Sequence, residues 1–459
     1  MIFYLAALAA SVPSAPPEKV YQEARAAWEG GRHAEAVALA RPLAEKGYSV
    51  AMHILGAAYD TGQGVERDPA LALGWFRRCA DLGEGQCLRS LGILHHYGRG
   101  VPRDLEAAYS WYLKAAARDV EAAYADAGIA HHFGYGTKVD YREAMRWYRK
   151  AADRGFPLGY VGLGELHRRG LGVARNPAEA FLMYEKAVEG GYVPAMGAMA
   201  AMLEDGEGIE ADPKRAFALR MRAAEAGDRD EMFEVGKAYL HGDAVGKDWA
   251  KALSWLTRAA EGGSSAAMVD LGFAYEIGDG PPQDHAKALD YYRRAAALDD
   301  PTGVTNLALM HLGGRGNKAD PAEAVRLLER AVRLGDPRAR LFLGVAYANG
   351  EGVAKDEKKG FALVREVADS GDAEAIGTLG RFYAAGVGTP ADEAEAARLF
   401  RKGALLGDPS AMRHLGNAYA KGKGVKRDPA EAAAWLRKAQ AAGDSEAEAA
   451  LEELLSSPK

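Results

Sequence analysis

The stretch LGILHHYGRGVPRD, residues 91–104, gathers side chains capable of chemistry. His95 and His96 are proton-transfer groups or metal ligands by type, with Tyr97, Arg99, Arg103 and Asp104 close behind and a Gly-x-Gly turn between them. Geometry argues against a shared metal. Adjacent residues on a helix point about 100° apart, and ligands must converge on one ion at about 2 Å.

The elements that carry these residues are periodic. The leading Leu, Met, Val or Ala falls at 55, 91, 127, 163, 199, 235, 271, 307, 343, 379 and 415, a 36-residue step without insertion. Repeats one to eleven are numbered from these positions. Seven residues further on, glycine stands in all eleven copies, from Gly62 to Gly422. Nine further on it stands in ten, with Ala244 the exception; thirteen on, aspartate stands in ten, with Asn176 the variant; seventeen on, alanine stands in ten, with Gly360 the exception. So regular a spacing identifies an array of repeated units.

Each unit reads as two helices. In repeat one, VAMHILGAAYDT sets Leu55 and Tyr59 on one face at i and i+4. Gly56 would cost about 1 kcal/mol in a helix interior. Glycine or alanine there in every copy predicts that another backbone packs against it. Gly62 ends the helix as a left-handed cap, and Gly64 keeps the turn tight. Asp68 caps the second helix, with Pro69 at its first position. Ala72, Trp75, Phe76, Cys79 and Ala80 line its apolar face. A hairpin of this size cannot bury its faces alone, so neighbours must stack. Ala36, Leu39, Ala44 and Gly47 keep the register of a preceding second helix, and Leu451 begins a closing one. The expected organisation is a capping pair over 18–48, eleven repeats over 49–444, and a capping helix and tail over 445–459. The 459 residues then form one elongated stack rather than the three or so globular domains that length alone suggests.

LGNAYAKGKGVKRDPAEAAAWLRKAQAAG, residues 415–443, resembles the Sel-1-like repeat, a branch of the tetratricopeptide repeats. The resemblance covers 49–444 fully. It implies an all-α, right-handed superhelical solenoid whose first helices line a concave groove that binds other proteins, without catalysis.

Within that frame the histidines separate into two sets. His95, His131, His167 and His311 occupy a slot held by tyrosine in six copies, so they read as core rings with a polar tip. Equivalent positions in neighbouring repeats lie roughly 8–10 Å apart, too far for one ion. His96 and His132 fall one residue later, on the side expected to face the groove. The stripe through them holds Tyr97, Phe133, Glu165, Arg168, Arg169, Glu204, Asp205 and His241. Aromatic and arginine side chains on a concave face are the types that anchor a protein or peptide partner. Later copies place Ala348, Ala384 and Ala420 there, which points to repeats two to five as the specific site.

Cys79 and Cys87 join the end of one repeat to the start of the next. Small secreted members of the family carry this C-x7-C joint as a disulfide, and the resemblance implies one here. Cys79 also sits in a slot usually filled by alanine, where a small buried thiol would fit.

Other classes find little support. No G-x-S-x-G, H-E-x-x-H or P-loop is present, and the one S-x-x-K lies in the tail at Ser456–Lys459. Hydrolysis of a β-lactam, suggested by some relatives, has no residue to carry it. Net charge is −6 with no Lys/Arg block, which argues against nucleic acid. No cofactor is expected. The opening MIFYLAALAASVPSAPP resembles a secretory signal, though no Lys or Arg precedes its apolar run, and that run is too short to span a bilayer. The expectation is a monomeric scaffold exported to a bacterial periplasm or beyond, or a cytoplasmic one if the apolar stretch is no signal. An envelope glycan stacked on Tyr97 and Phe133 is the alternative partner.

Overall fold

The computed structural model describes residues 17–456. These form twenty-five α-helices, with no strand among the described residues. Apart from Pro17, which opens the first helix, the stretch read as an export signal lies outside the described residues. No helix among the described residues is long and apolar enough to cross a membrane.

The chain divides into two compact units, residues 1–228 and 229–459. The described part of the first begins with helices Pro17–Glu29 and His33–Glu45, followed by the hairpins of repeats one to five. The second holds the hairpins of repeats six to eleven and a closing helix, Ala447–Ser456. In each unit every helix packs chiefly on its neighbours in sequence, the arrangement of an α–α solenoid. The boundary falls between repeats five and six, where the period runs on unbroken.

Local chemistry sets the hairpins. In repeat one the first helix, Ser49–Thr61, ends on Gly62 with φ 76°, whose N–H bonds the carbonyl of Ala58. Asp68 then accepts hydrogen bonds from the N–H groups of Ala70 and Leu71 and starts the second helix, Pro69–Asp81. Asp104, Asp140 and Asn176 do the same in the next three copies.

Two glycine positions record close approach. Added Cβ atoms at Gly92 and Gly128 would meet the rings of Tyr112 and Tyr148, at 2.5 and 2.6 Å. The nearest neighbour at these two positions is thus an aromatic ring from the second helix, and the backbone that the residue pattern suggested lies just beyond it at Gly92, where the Ala108 carbonyl is 3.2 Å from the added Cβ. Laying a ring flat on a backbone without Cβ buries it almost whole: Tyr112, Tyr148 and Tyr292 are at most 7% exposed. The second glycine of each turn faces the preceding repeat. A Cβ at Gly352 would overlap the carbonyl of Pro321, and one at Gly424 the carbonyl of Glu393. Each contact reaches the first residue of the preceding second helix, so turn and helix start lock neighbouring repeats together. Ala244 holds the same left-handed backbone, φ 59°, without glycine's freedom.

Cys79 and Cys87 are joined by a disulfide with Cα atoms 5.9 Å apart, and both are fully buried. The bridge ties helix Pro69–Asp81 to the next, Gly85–Tyr97. With a sequence separation of 8, loop-closure entropy assigns it roughly 2.5 kcal/mol. Cys79→Ala/Cys87→Ala protein should therefore unfold at a lower urea concentration than oxidised wild type, with a stability smaller by about that free energy. Coincident midpoints would refute the assignment.

Candidate partner-binding surface

The first helices present their fifth residue after the leading position towards the eighth of the next repeat, and these two places form cross-links within each unit. Asp60 pairs with Arg99 at 2.9 Å and Arg168 with Glu207 at 2.7 Å, and Glu276 pairs with Arg315. His96 makes the same link with rings, its centroid 5.3 Å from that of Tyr135. Charge sign is free to invert from one link to the next because only complementarity matters.

This divides the predicted stripe. Arg168 is held by Glu207, which also binds Arg175 at 2.6 Å, so both carboxylate oxygens are taken. Glu207 is held below the usual carboxylate range by these two guanidiniums, against an upward push from burial. Glu165 accepts from the Tyr184 hydroxyl at 3.0 Å and pairs with Arg169. Glu204 receives both arms of Arg220 at 2.8 Å. His132 does not face solvent as helical spacing suggested. It is 7% exposed, with Phe133 stacked flat on its ring at 4.3 Å and the Tyr148 hydroxyl 3.3 Å from Nδ1. What repeats two and three offer is Tyr97, 66% exposed, and Phe133, 55% exposed. His241 ends helix Arg229–His241 in the second unit, and Asp205 is exposed at the end of Ala195–Asp205. Among the described residues no group of three His, Cys, Asp or Glu side chains is placed to hold a metal.

Beside Tyr97 the structure opens a cleft of about 440 Å³ between helices Gly85–Tyr97 and Glu121–Phe133. Ile93 and Ile129 form its walls, and His96, Tyr97 and Tyr135 its mouth. Its floor is an ion pair, Arg89 Nε to Asp126 Oδ2 at 2.6 Å. Burial raises the Asp126 carboxyl despite the neighbouring guanidinium. His96 is lowered, first by burial and then by Arg103, and so is kept neutral. Tyr112 closes the floor. The hydroxyls of Tyr148, Tyr184 and Tyr292 each meet a side chain of the facing helix, whereas that of Tyr112, only 7% exposed, meets none among the described residues. Tyr112 lines the cleft, so its hydroxyl is open to a ligand that enters.

Sequence reasoning missed Arg89, Asp126, Tyr112 and Tyr135. The signal was present as opposite charges one period plus one residue apart, but nothing in one copy shows that the next supplies a partner. Phe273 and Ile277, 55% and 50% exposed on one helix of the second unit, were missed likewise.

Helical hairpins at an unbroken 36-residue period, each packed on its neighbours in sequence within its unit, define a tandem-repeat α-solenoid. Eleven matches to the Sel1 repeat cover residues 49–84, 85–120, 120–156, 157–192, 193–228, 232–264, 265–300, 302–336, 337–372, 373–408 and 409–444. The chain belongs to the Sel1-repeat family. It is similar to c5321 of uropathogenic Escherichia coli, described as a protective antigen with this fold, at 29% identity over 92% of this chain and 91% of that one, TM-score 0.62. A Sel1 repeat protein from Oxalobacter formigenes shares 30% identity over 68% of this chain and 90% of that one, TM-score 0.48. No curated protein matches.

Proposed function

We propose that this protein is a non-enzymatic docking scaffold that receives a segment of a partner protein across the first helices of repeats two and three. The observation that carries this is the cleft lined by Tyr112 and the Arg89–Asp126 pair, with the exposed Tyr97 ring at its edge and the exposed Phe133 ring on the next first helix. Exposed aromatic side chains beside a cleft that offers polar groups are the types that anchor a partner protein. The disulfide suits an oxidising compartment, and with the antigenic role of the similar Escherichia coli protein it supports an envelope or secreted location. A cross-linking amino acid at Tyr97, installed in the native host, should give one discrete adduct. The same group at Leu182, 49% exposed on a second helix, should give none. Equal labelling from both positions would reject the cleft as the docking place. An envelope glycan is the second reading, favoured by the neutral aromatic mouth of His96, Tyr97 and Tyr135. Saccharide binding that Tyr97→Ala/Phe133→Ala abolishes would establish it.

A further inference from the structure

The cross-links between neighbouring first helices are not complete. In repeats one and seven the fifth residue is a carboxylate, Asp60 or Glu276, and the arginine of the following repeat sits against it. In repeat ten that place is Ala384, while the following repeat still supplies a cation, Lys423. With no carboxylate opposite, Lys423 turns to Glu393 at 3.1 Å. The missing side chain leaves an opening of about 410 Å³ between helices Ala373–Ala385, Glu393–Leu405 and Pro409–Lys421.

The opening has a distinct chemical character. Its floor is apolar, built from Phe400, Ala396, Ala397 and Ala418. His414 lies on Phe400 with ring centroids 5.0 Å apart and presents its nitrogens without a protein partner. Arg381 donates to the Thr378 hydroxyl at 3.1 Å and forms no ion pair among the described residues, although the Glu374 and Asp408 carboxyls feel its charge from the other side. Lys421 lines the opening too, with no ion pair among the described residues. Three cations thus border an apolar floor that holds one acid, Glu393, already engaged.

We propose that this opening takes an acidic peptide segment of a partner protein, one carboxylate standing where Asp60 and Glu276 stand in their repeats and a neighbouring apolar side chain covering Phe400. The two internal links show what this backbone arrangement accepts at that place, and Arg381 and Lys421 supply complementary charge on either side. The volume suits one large apolar side chain with its acidic neighbour. The inference rests on the reading of the molecule as a docking scaffold, but it names a separate site in the second unit.

Ala384→Glu rebuilds the missing link from within and so competes with the ligand; Ala384→Gln fills similar space without charge. Both lie on an exposed helix position, and folding is checked by circular dichroism. A random-peptide library selected on the oxidised full chain should return sequences with Asp or Glu beside Leu, Met or Phe. A selected peptide, labelled with fluorescein, should bind Ala384→Glu at least about tenfold more weakly than wild type, a difference on the scale of one close charge pair. Ala384→Gln should fall between, and affinity should drop with added salt. Selection of no peptide, a consensus without acids, or equal affinity for wild type and Ala384→Glu would each overturn the proposal. Cross-linking at Tyr97 in the Ala384→Glu background reports on the other cleft, so failure of one site is distinguishable from failure of both.

Discussion

Gly352→Ala is expected to destabilise the second unit by about 3–5 kcal/mol, a loss in the range of core overpacking and backbone strain combined. Gly352 has φ 74°, and a Cβ there would overlap the carbonyl of Pro321 in the preceding repeat. Two costs add. The left-handed backbone disfavours an L side chain by about 1–2 kcal/mol, and the overlap forces the turn away from the helix start it clamps. Gly371 separates the two. It has φ 98° and nothing within 4 Å of an added Cβ, so Gly371→Ala should show only the first cost. Urea unfolding of the two variants, with hydrogen exchange over repeats eight and nine, makes the comparison. Equal losses would mean that the turn-to-helix contact contributes little and that stacking rests on the apolar faces alone. Because such an array is held by nearest-neighbour interfaces, the Gly352 loss should concentrate in those two repeats.

The second large effect is a loss of stability on acidification that two histidines cause. His53 is lowered to about 4 by burial and by the neighbouring Arg89. His414 is lowered to about 4 by burial, then by Arg413 and Arg381, with Asp444 opposing. In the unfolded chain both take up protons near the ordinary value of 6.5, before the folded chain does. Stability is therefore intact above that value and falls as the pH descends from it towards 4. Each residue should contribute about 2 kcal/mol of loss between pH 7 and 4.5. Asp126, Glu374 and Asp408 act in the opposite sense, since burial raises their carboxyls and the folded state then gains protons first. The informative quantity is thus the difference between wild type and His53→Gln/His414→Gln, in which those carboxyls cancel. Urea midpoints across this range should converge with falling pH, wild type losing more. Parallel curves would show that neither ring is held neutral in the folded protein.

How far the candidate surface was legible depends on the residue. Tyr97 and Phe133, one residue after His96 and His132 and just before the turn glycine, are exposed as their place in the stripe suggested. His132, one residue away from Phe133, was misplaced: the ring stacked over it removes it from solvent, which no spacing rule conveys. Arg168 had the right type for an anchor, but Glu207 of the next copy already holds it. The opening at Ala384 was passed over because alanine carries no functional group. Its significance lies in Lys423, a full period and three residues later, which lacks the carboxylate its counterparts enjoy.

The amino-acid order by itself determined the hairpin, its caps, its turns and the number of its copies. Those features are governed by backbone torsions and hydrogen bonds within a few residues, and they recur in every unit, so each copy testifies to the rest. Tertiary structure alone decided which polar groups are spent on stacking and which remain for a partner. That outcome depends on what a neighbouring copy presents at one point in space, where the copies differ from one another and the shared pattern is silent.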